Sequence, residues 1–76
     1  MRTQPAERLR AFMSAMGWTH EDAATRFRCH GSMVSLIVTE RRSPGRRLAV
    51  KIERETRDWE RGPIRVREWP PKAAKQ

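Results

Sequence analysis

The stretch "THEDAATRFRCHGSMVSLI", residues 19–37, decides how this chain is read. It contains two short apolar patterns with a break between them. In the first, Thr19 is placed to cap a helix, and Asp22 stands three residues on, a short version of the capping box. Glu21 and Asp22 add negative charge where the helix dipole is positive. Ala23, Ala24 and Phe27 share one face, and two adjacent alanines let another backbone approach closely. In the second pattern Val34, Ile37 and Val38 fall at helical spacing. The spacing predicts one helix over 20–28 and another over 31–39, joined by about three residues. A non-glycine residue, Arg28, stands where the first helix must end.

Two short helices packed at a small residue, the second exposing one face, have the arithmetic of a helix-turn-helix. The flanks agree with a small helical domain. Upstream, Thr3 is placed to cap, Pro5 suits a first turn, and Glu7 complements the dipole. Leu9, Phe12, Met13 and Met16 then form a stripe at i, i+3, i+4 and i+7, which Gly17 ends. Downstream, Ser43-Pro44 reads as the cap and first residue of a fourth helix. On that helix Leu48, Ala49 and Ile52 face inward, Thr56 closes, and Arg46, Arg47, Lys51 and Arg54 project outward.

Beyond Arg57 the pattern weakens. Gly62-Pro63 marks a turn, and Ile64 and Val66 alternate with Arg65 and Arg67, as a short strand or a helical turn would. Trp59, Ile64, Val66 and Trp69 are read in one of two ways, as completing the core or as a dimerisation contact. Glu53, Glu55, Asp58 and Glu60 interleave with Arg54, Arg57 and Arg61, the pattern of a salt-bridged exposed face. The expectation is an all-α fold, a compact bundle of four to five short helices with a short irregular or strand-like C-terminal tail. One domain spans 1–70, its core 5–56, followed by a disordered tail over 71–76.

The chain has 76 residues and a formal charge of +8, from 17 lysines and arginines against 9 acidic residues, and arginine dominates the cations. Arginine offers phosphate a planar two-pronged donor, so a small arginine-rich domain points to a polyanion. A single cysteine, Cys29, excludes an intrachain disulfide and suits a reducing cytoplasm. No apolar run approaches the length of a membrane span or resembles a signal segment. His20, Cys29 and His30 lack metal-ligand spacing and a fourth partner, so Cys29 is read as core and no metal or cofactor is expected. No Ser-His-Asp frame, phosphate loop or carboxylate pair appears, so no enzyme activity is assigned.

Residues 9–56, about two-thirds of the chain, resemble the Cro and phage-repressor helix-turn-helix family, also called XRE-like. The resemblance rests on Thr19-His20-Glu21-Asp22-Ala23-Ala24, Gly31-Ser32-Met33-Val34-Ser35-Leu36-Ile37 and Arg41-Arg42-Ser43-Pro44, without a gap. Lys51 to Thr56 also resembles the family's fourth helix. The departures are Arg28 and Glu40 at family glycines, and His20 and Gly31 at family glutamines. The resemblance implies a cytoplasmic, bacterial or phage-encoded DNA-binding regulator, a homodimer on a palindromic operator. The family's geometry turns Gly31, Ser32, Met33, Ser35 and Leu36 to the bases, with His30 beside them as a further reader. Phosphate contacts fall to Thr19 and His20 at the start of one helix and to Arg41, Arg42, Arg46 and Arg47 around the start of the fourth, where the dipole attracts anions.

None of the residues from Gly31 to Leu36 can make a bidentate contact to a base, so the implied interface leans on phosphates, thymine methyls and DNA shape. Two readings stay open here. Ser32 is either a cap or a reader, and Met33 and Leu36 belong either to the groove face or to a core or dimer surface. Two other functions share the features: an antitoxin or anti-activator that binds a protein through the tryptophan-bearing tail, and a non-specific nucleic-acid binder.

Overall fold

The computed structural model describes residues 4–69. Four α-helices follow one another: α1 (Pro5–Met16), α2 (His20–Phe27), α3 (Gly31–Val38) and α4 (Arg46–Glu55). A single 3-10 turn, Val66–Glu68, closes the described chain, and no strand occurs among the described residues. The tail therefore takes the helical of its two sequence readings. The expected cap at Thr3 and the expected tail over 71–76 lie outside the described residues.

Three consecutive helices end in the same way. Gly17, Arg28 and Glu40 all adopt the left-handed conformation, at φ 73°, 58° and 62°. In each case the next N–H reaches back five residues: Trp18 to the Met13 carbonyl at 2.8 Å, Cys29 to Ala24 at 2.9 Å, and Arg41 to Leu36 at 2.9 Å. This closure satisfies carbonyls the helix end would leave free, and it favours glycine. Arg28 and Glu40 hold it at a cost of about 1 kcal/mol each. The start of α2 is the capping box expected: the Asp22 N–H donates to Thr19 Oγ1 at 3.1 Å, and the Thr19 N–H donates to Asp22 Oδ2 at 2.9 Å.

The core gathers Leu9, Phe12 and Met13 of α1, Ala23, Ala24 and Phe27 of α2, Val34, Ile37 and Val38 of α3, and Ala49 and Ile52 of α4. Ala23 is fully buried and Ala24 nearly so, where α2 packs on α3. Trp18 extends this core. Its ring meets Phe12 edge-on at 5.3 Å and Phe27 at 6.2 Å, geometries that aromatic pairs favour.

Three expectations are corrected. Met16 is 52% exposed: it is the last residue of α1 and stands at the rim of a groove with Glu55, Asp58 and Trp59, while Met13 of the same turn is buried. The fourth helix does not begin at Ser43-Pro44. Pro44 is buried in the connector, and Gly45, in extended conformation, precedes Arg46 as the first helical residue. Pro44 serves packing there, and the helix starts only after the chain has cleared it. The interleaved charges of 53–61 do not pair with one another. The ion pairs among the described residues are Arg8–Glu68 at 2.6 Å and Arg65–Glu53 at 3.8 Å, and both fasten the C-terminal segment. Exposed flexible arms gain little from pairing in water.

That segment folds back. Ile64 is fully buried and Trp69 nearly so, with Trp59 and Val66 half-buried against the same core. Ile64 and Trp69 thus complete the core of their own chain, the first of the two sequence readings, while Trp59 and Val66 keep part of their surface exposed. Trp59 sits edge-on to Phe12 at 5.2 Å, with the Arg61 guanidinium over its ring at 5.2 Å. Arg8 holds the loop from α1, donating to the carbonyls of Gly62 at 2.8 Å and Arg61 at 3.1 Å.

Candidate nucleic-acid interface

The outer face of α3 follows from its buried one. Val34, Ile37 and Val38 point inward, and at 3.6 residues per turn the opposite face carries Ser32, Ser35 and Leu36. Ser32 is exposed, and Ser35 and Leu36 are half-buried. Leu36 lies outside the core cluster, whereas Met33 packs against it. The structure thus separates two residues that the sequence left together: Leu36 stays on the surface, and Met33 is shared with the core.

The N-terminus of α3 is open. His30 precedes it in extended conformation, exposed, and its side chain caps nothing. Ser32 lies inside the helix, one residue past its first, so it is no cap and its hydroxyl is free for other contacts. Gly31 is the first helical residue. A Cβ there would meet only Glu21 Cγ at 3.8 Å, an ordinary contact, so the fold does not demand glycine. The same contact sets the start of α3 beside the start of α2, where His20 is exposed. Thr19 accepts the capping bond and retains its own O–H to donate.

After α3, the connector to α4 and the first turn of α4 carry Arg41, Arg42, Arg46 and Arg47. All four are exposed, and none forms an ion pair with a described residue. Glu40 is exposed next to Arg41 and Arg42 in the chain and forms no ion pair with a described residue. Arg46 and Arg47 stand at a helix N-terminus, whose dipole favours an anion.

Cys29 is half-buried at the turn between α2 and α3 and packs against the core. Burial pushes its thiol above the ordinary value, against the smaller opposing effect of Lys51. Among the described residues no three His, Cys, Asp or Glu side chains gather where a metal ion could be held. No helix among the described residues is long and apolar enough to cross a membrane.

Two residues important to this arrangement were not singled out in the sequence. Trp18 follows the helix-ending Gly17 and so lies off the stripe of α1. Arg8 lies between Glu7 and Leu9, where its reach to the C-terminal loop leaves no periodic signal. The chain matches no family model, no curated protein and no solved structure.

Proposed function

We propose that this chain is a sequence-specific double-stranded DNA-binding regulator of transcription, a repressor of the Cro-like or prophage kind that acts by occupying a promoter. One observation carries the reading: the outer face of α3 is open, and the connector and first turn of α4 that follow it in the chain carry four exposed arginines with no ion pair to a described residue. Such a helix enters the major groove while the flanking cations hold phosphates on either side.

In this reading His20, Arg41, Arg42, Arg46 and Arg47 neutralise phosphates. Ser32 and Ser35 offer hydroxyls to base edges, and Leu36 offers an apolar contact to a thymine methyl. His30 stands at the entrance of the helix and adds a ring donor. Gly31 allows the helix backbone to lie close to the bases. With no bidentate reader, specificity draws on water and on DNA shape. Two copies on a palindromic site raise both affinity and selectivity, and they meet through surfaces other than Ile64 and Trp69.

Selection of binding sites from a pool of random duplexes tests the proposal. The expected result is one enriched sequence with two-fold symmetry, preferred over random DNA by roughly 10³ or more. Recovery of no enriched sequence, with equal binding to every duplex, would leave only a non-specific binder.

A further inference from the structure

A second cluster of cations lies between α2 and α4. A cleft of about 610 Å³ is lined by Arg26 and Arg28 from the end of α2 and by Lys51, Arg54 and Glu55 from α4. Four cations face one carboxylate, and none of the four forms an ion pair with a described residue. Like charges crowded around one concavity repel, and Lys51 and Arg54 are also one helical turn apart. Arg28 adds a second observation. It holds a left-handed backbone at φ 58°, in a helix closure that glycine takes more easily. Strained backbone that places a charge at the lip of a cleft is a mark of use.

The cleft takes its cations from the end of α2 and the later turns of α4, whereas the phosphate contacts of the α3 reading come from the starts of the same two helices. α2 starts with His20 and reaches the cleft at Arg26 and Arg28, about 9–12 Å along its axis. α4 starts with Arg46 and Arg47 and reaches the cleft at Lys51 and Arg54, about 8–12 Å further on. The residues that line it are all charged, and Arg26 lies over the half-buried Trp18 ring at 5.2 Å, which shields the aromatic face from the cleft. A protein interface needs an apolar or aromatic anchor at its desolvated centre, whereas a phosphate backbone needs only cations.

We propose that this cleft binds the phosphate backbone of a second nucleic-acid segment, so that one chain grips two segments at once. The inference rests on the α3 reading for the first segment and assigns Arg26, Arg28, Lys51 and Arg54 to the second. A chain of this kind bridges two duplexes, or bends one duplex back across itself.

The test is a capture experiment. The full chain is loaded on an immobilised duplex of random sequence, washed, and offered a second, fluorescent random duplex. Wild type is expected to retain the second duplex. K51Q/R54Q is expected to lose about tenfold or more of that capture, while its affinity for the first duplex stays within about twofold. R28G separates binding from folding: its melting temperature is expected to hold or rise as the backbone relaxes, while capture falls severalfold.

Wild type that binds the first duplex but captures no second one overturns the inference alone. So does capture that K51Q/R54Q and R28G leave unchanged, or a parallel fall in affinity for the first duplex. Polyglutamate that occupies the cleft in a K51Q/R54Q-sensitive way, where DNA does not, overturns it in favour of an acidic protein. Wild type that binds no duplex at all removes the α3 reading, and this one with it.

Discussion

The Thr56 hydroxyl joins the end of α4 to the returning C-terminal segment: it accepts the Ile64 N–H at 2.9 Å and donates to the Ile52 carbonyl at 2.8 Å. Thr56, Ile52 and Ile64 are all fully buried, so water cannot replace either bond. Thr56→Val keeps the shape and leaves the Ile64 N–H without a partner. An orphaned buried donor costs about 1–3 kcal/mol. T56V is expected to lose that much unfolding free energy, seen as a lower urea midpoint with an unchanged slope, and Thr56→Ser to recover most of the loss. A midpoint equal to wild type would show that the segment does not depend on this bond.

The same segment carries a pH dependence. Burial raises the Glu68 carboxyl, but the N–H of Arg65 and the guanidinium of Arg8 outweigh it, and the net direction is below the ordinary value. A depressed folded pKa gives stability that is present above the unfolded value, about 4.3, and is lost as pH falls through the folded one. Wild type should therefore lose stability below about pH 4, and Glu68→Gln should flatten that part of the profile while lowering stability at pH 7. Parallel acid profiles for the two proteins would refute the assignment.

These contacts mark the limit of what local sequence shows. The helices over 20–28 and 31–39 were legible because caps, dipole charges and apolar spacing act within one or two turns. The Thr19–Asp22 box formed as read. What was illegible depends on partners far along the chain. Arg8 and Glu68 are 60 positions apart, and no periodicity announces their bond. Pro44 looked like a helix start because that is proline's commonest local use, yet the structure buries it one residue before the Gly45 cap. On the candidate interface, α3's outward face followed from its buried stripe. The division between Leu36 and Met33 did not, since both are apolar and only packing tells them apart.

Glu40 offers a test in which stability and binding move together. It holds a left-handed backbone at φ 62°, and its carboxylate, next to Arg41 and Arg42 in the chain, forms no ion pair with a described residue. Glu40→Gly relieves the conformation, worth about 1 kcal/mol before the added flexibility of the unfolded chain is subtracted. It also removes a charge that repels phosphate. The variant is expected to melt higher and to bind duplex DNA several times more tightly at low salt. Weaker binding would show that Glu40 orients its arginine neighbours.

Gly31 tests how closely α3 approaches its ligand. A Cβ fits the fold there, so Gly31→Ala should be neutral or stabilising by up to about 1 kcal/mol. If the helix N-terminus lies against base edges, the added methyl keeps it out and affinity for the selected site falls, while random DNA is bound as before. Leu36→Ala should instead relax the preference at one position, by about 1–3 kcal/mol. Unchanged site affinity in G31A would mean that the helix stands off the groove.

The arginines around the start of α4 set the salt dependence. Neutralising about five phosphates gives log K against log salt a slope of about −4 to −5 for each copy. Arg41→Gln with Arg42→Gln removes two exposed cations that pair with no described residue, without touching the core, so melting should not change. The slope should become shallower by about 2, and affinity should fall evenly across sequences, because phosphate contacts carry no base information. Lys51→Gln with Arg54→Gln changes the charge by the same amount but faces the other cleft, and on a duplex too short to reach that cleft its slope should match wild type. If both pairs flatten the slope equally, net charge alone governs the binding, and the α3 flank holds no privileged phosphates.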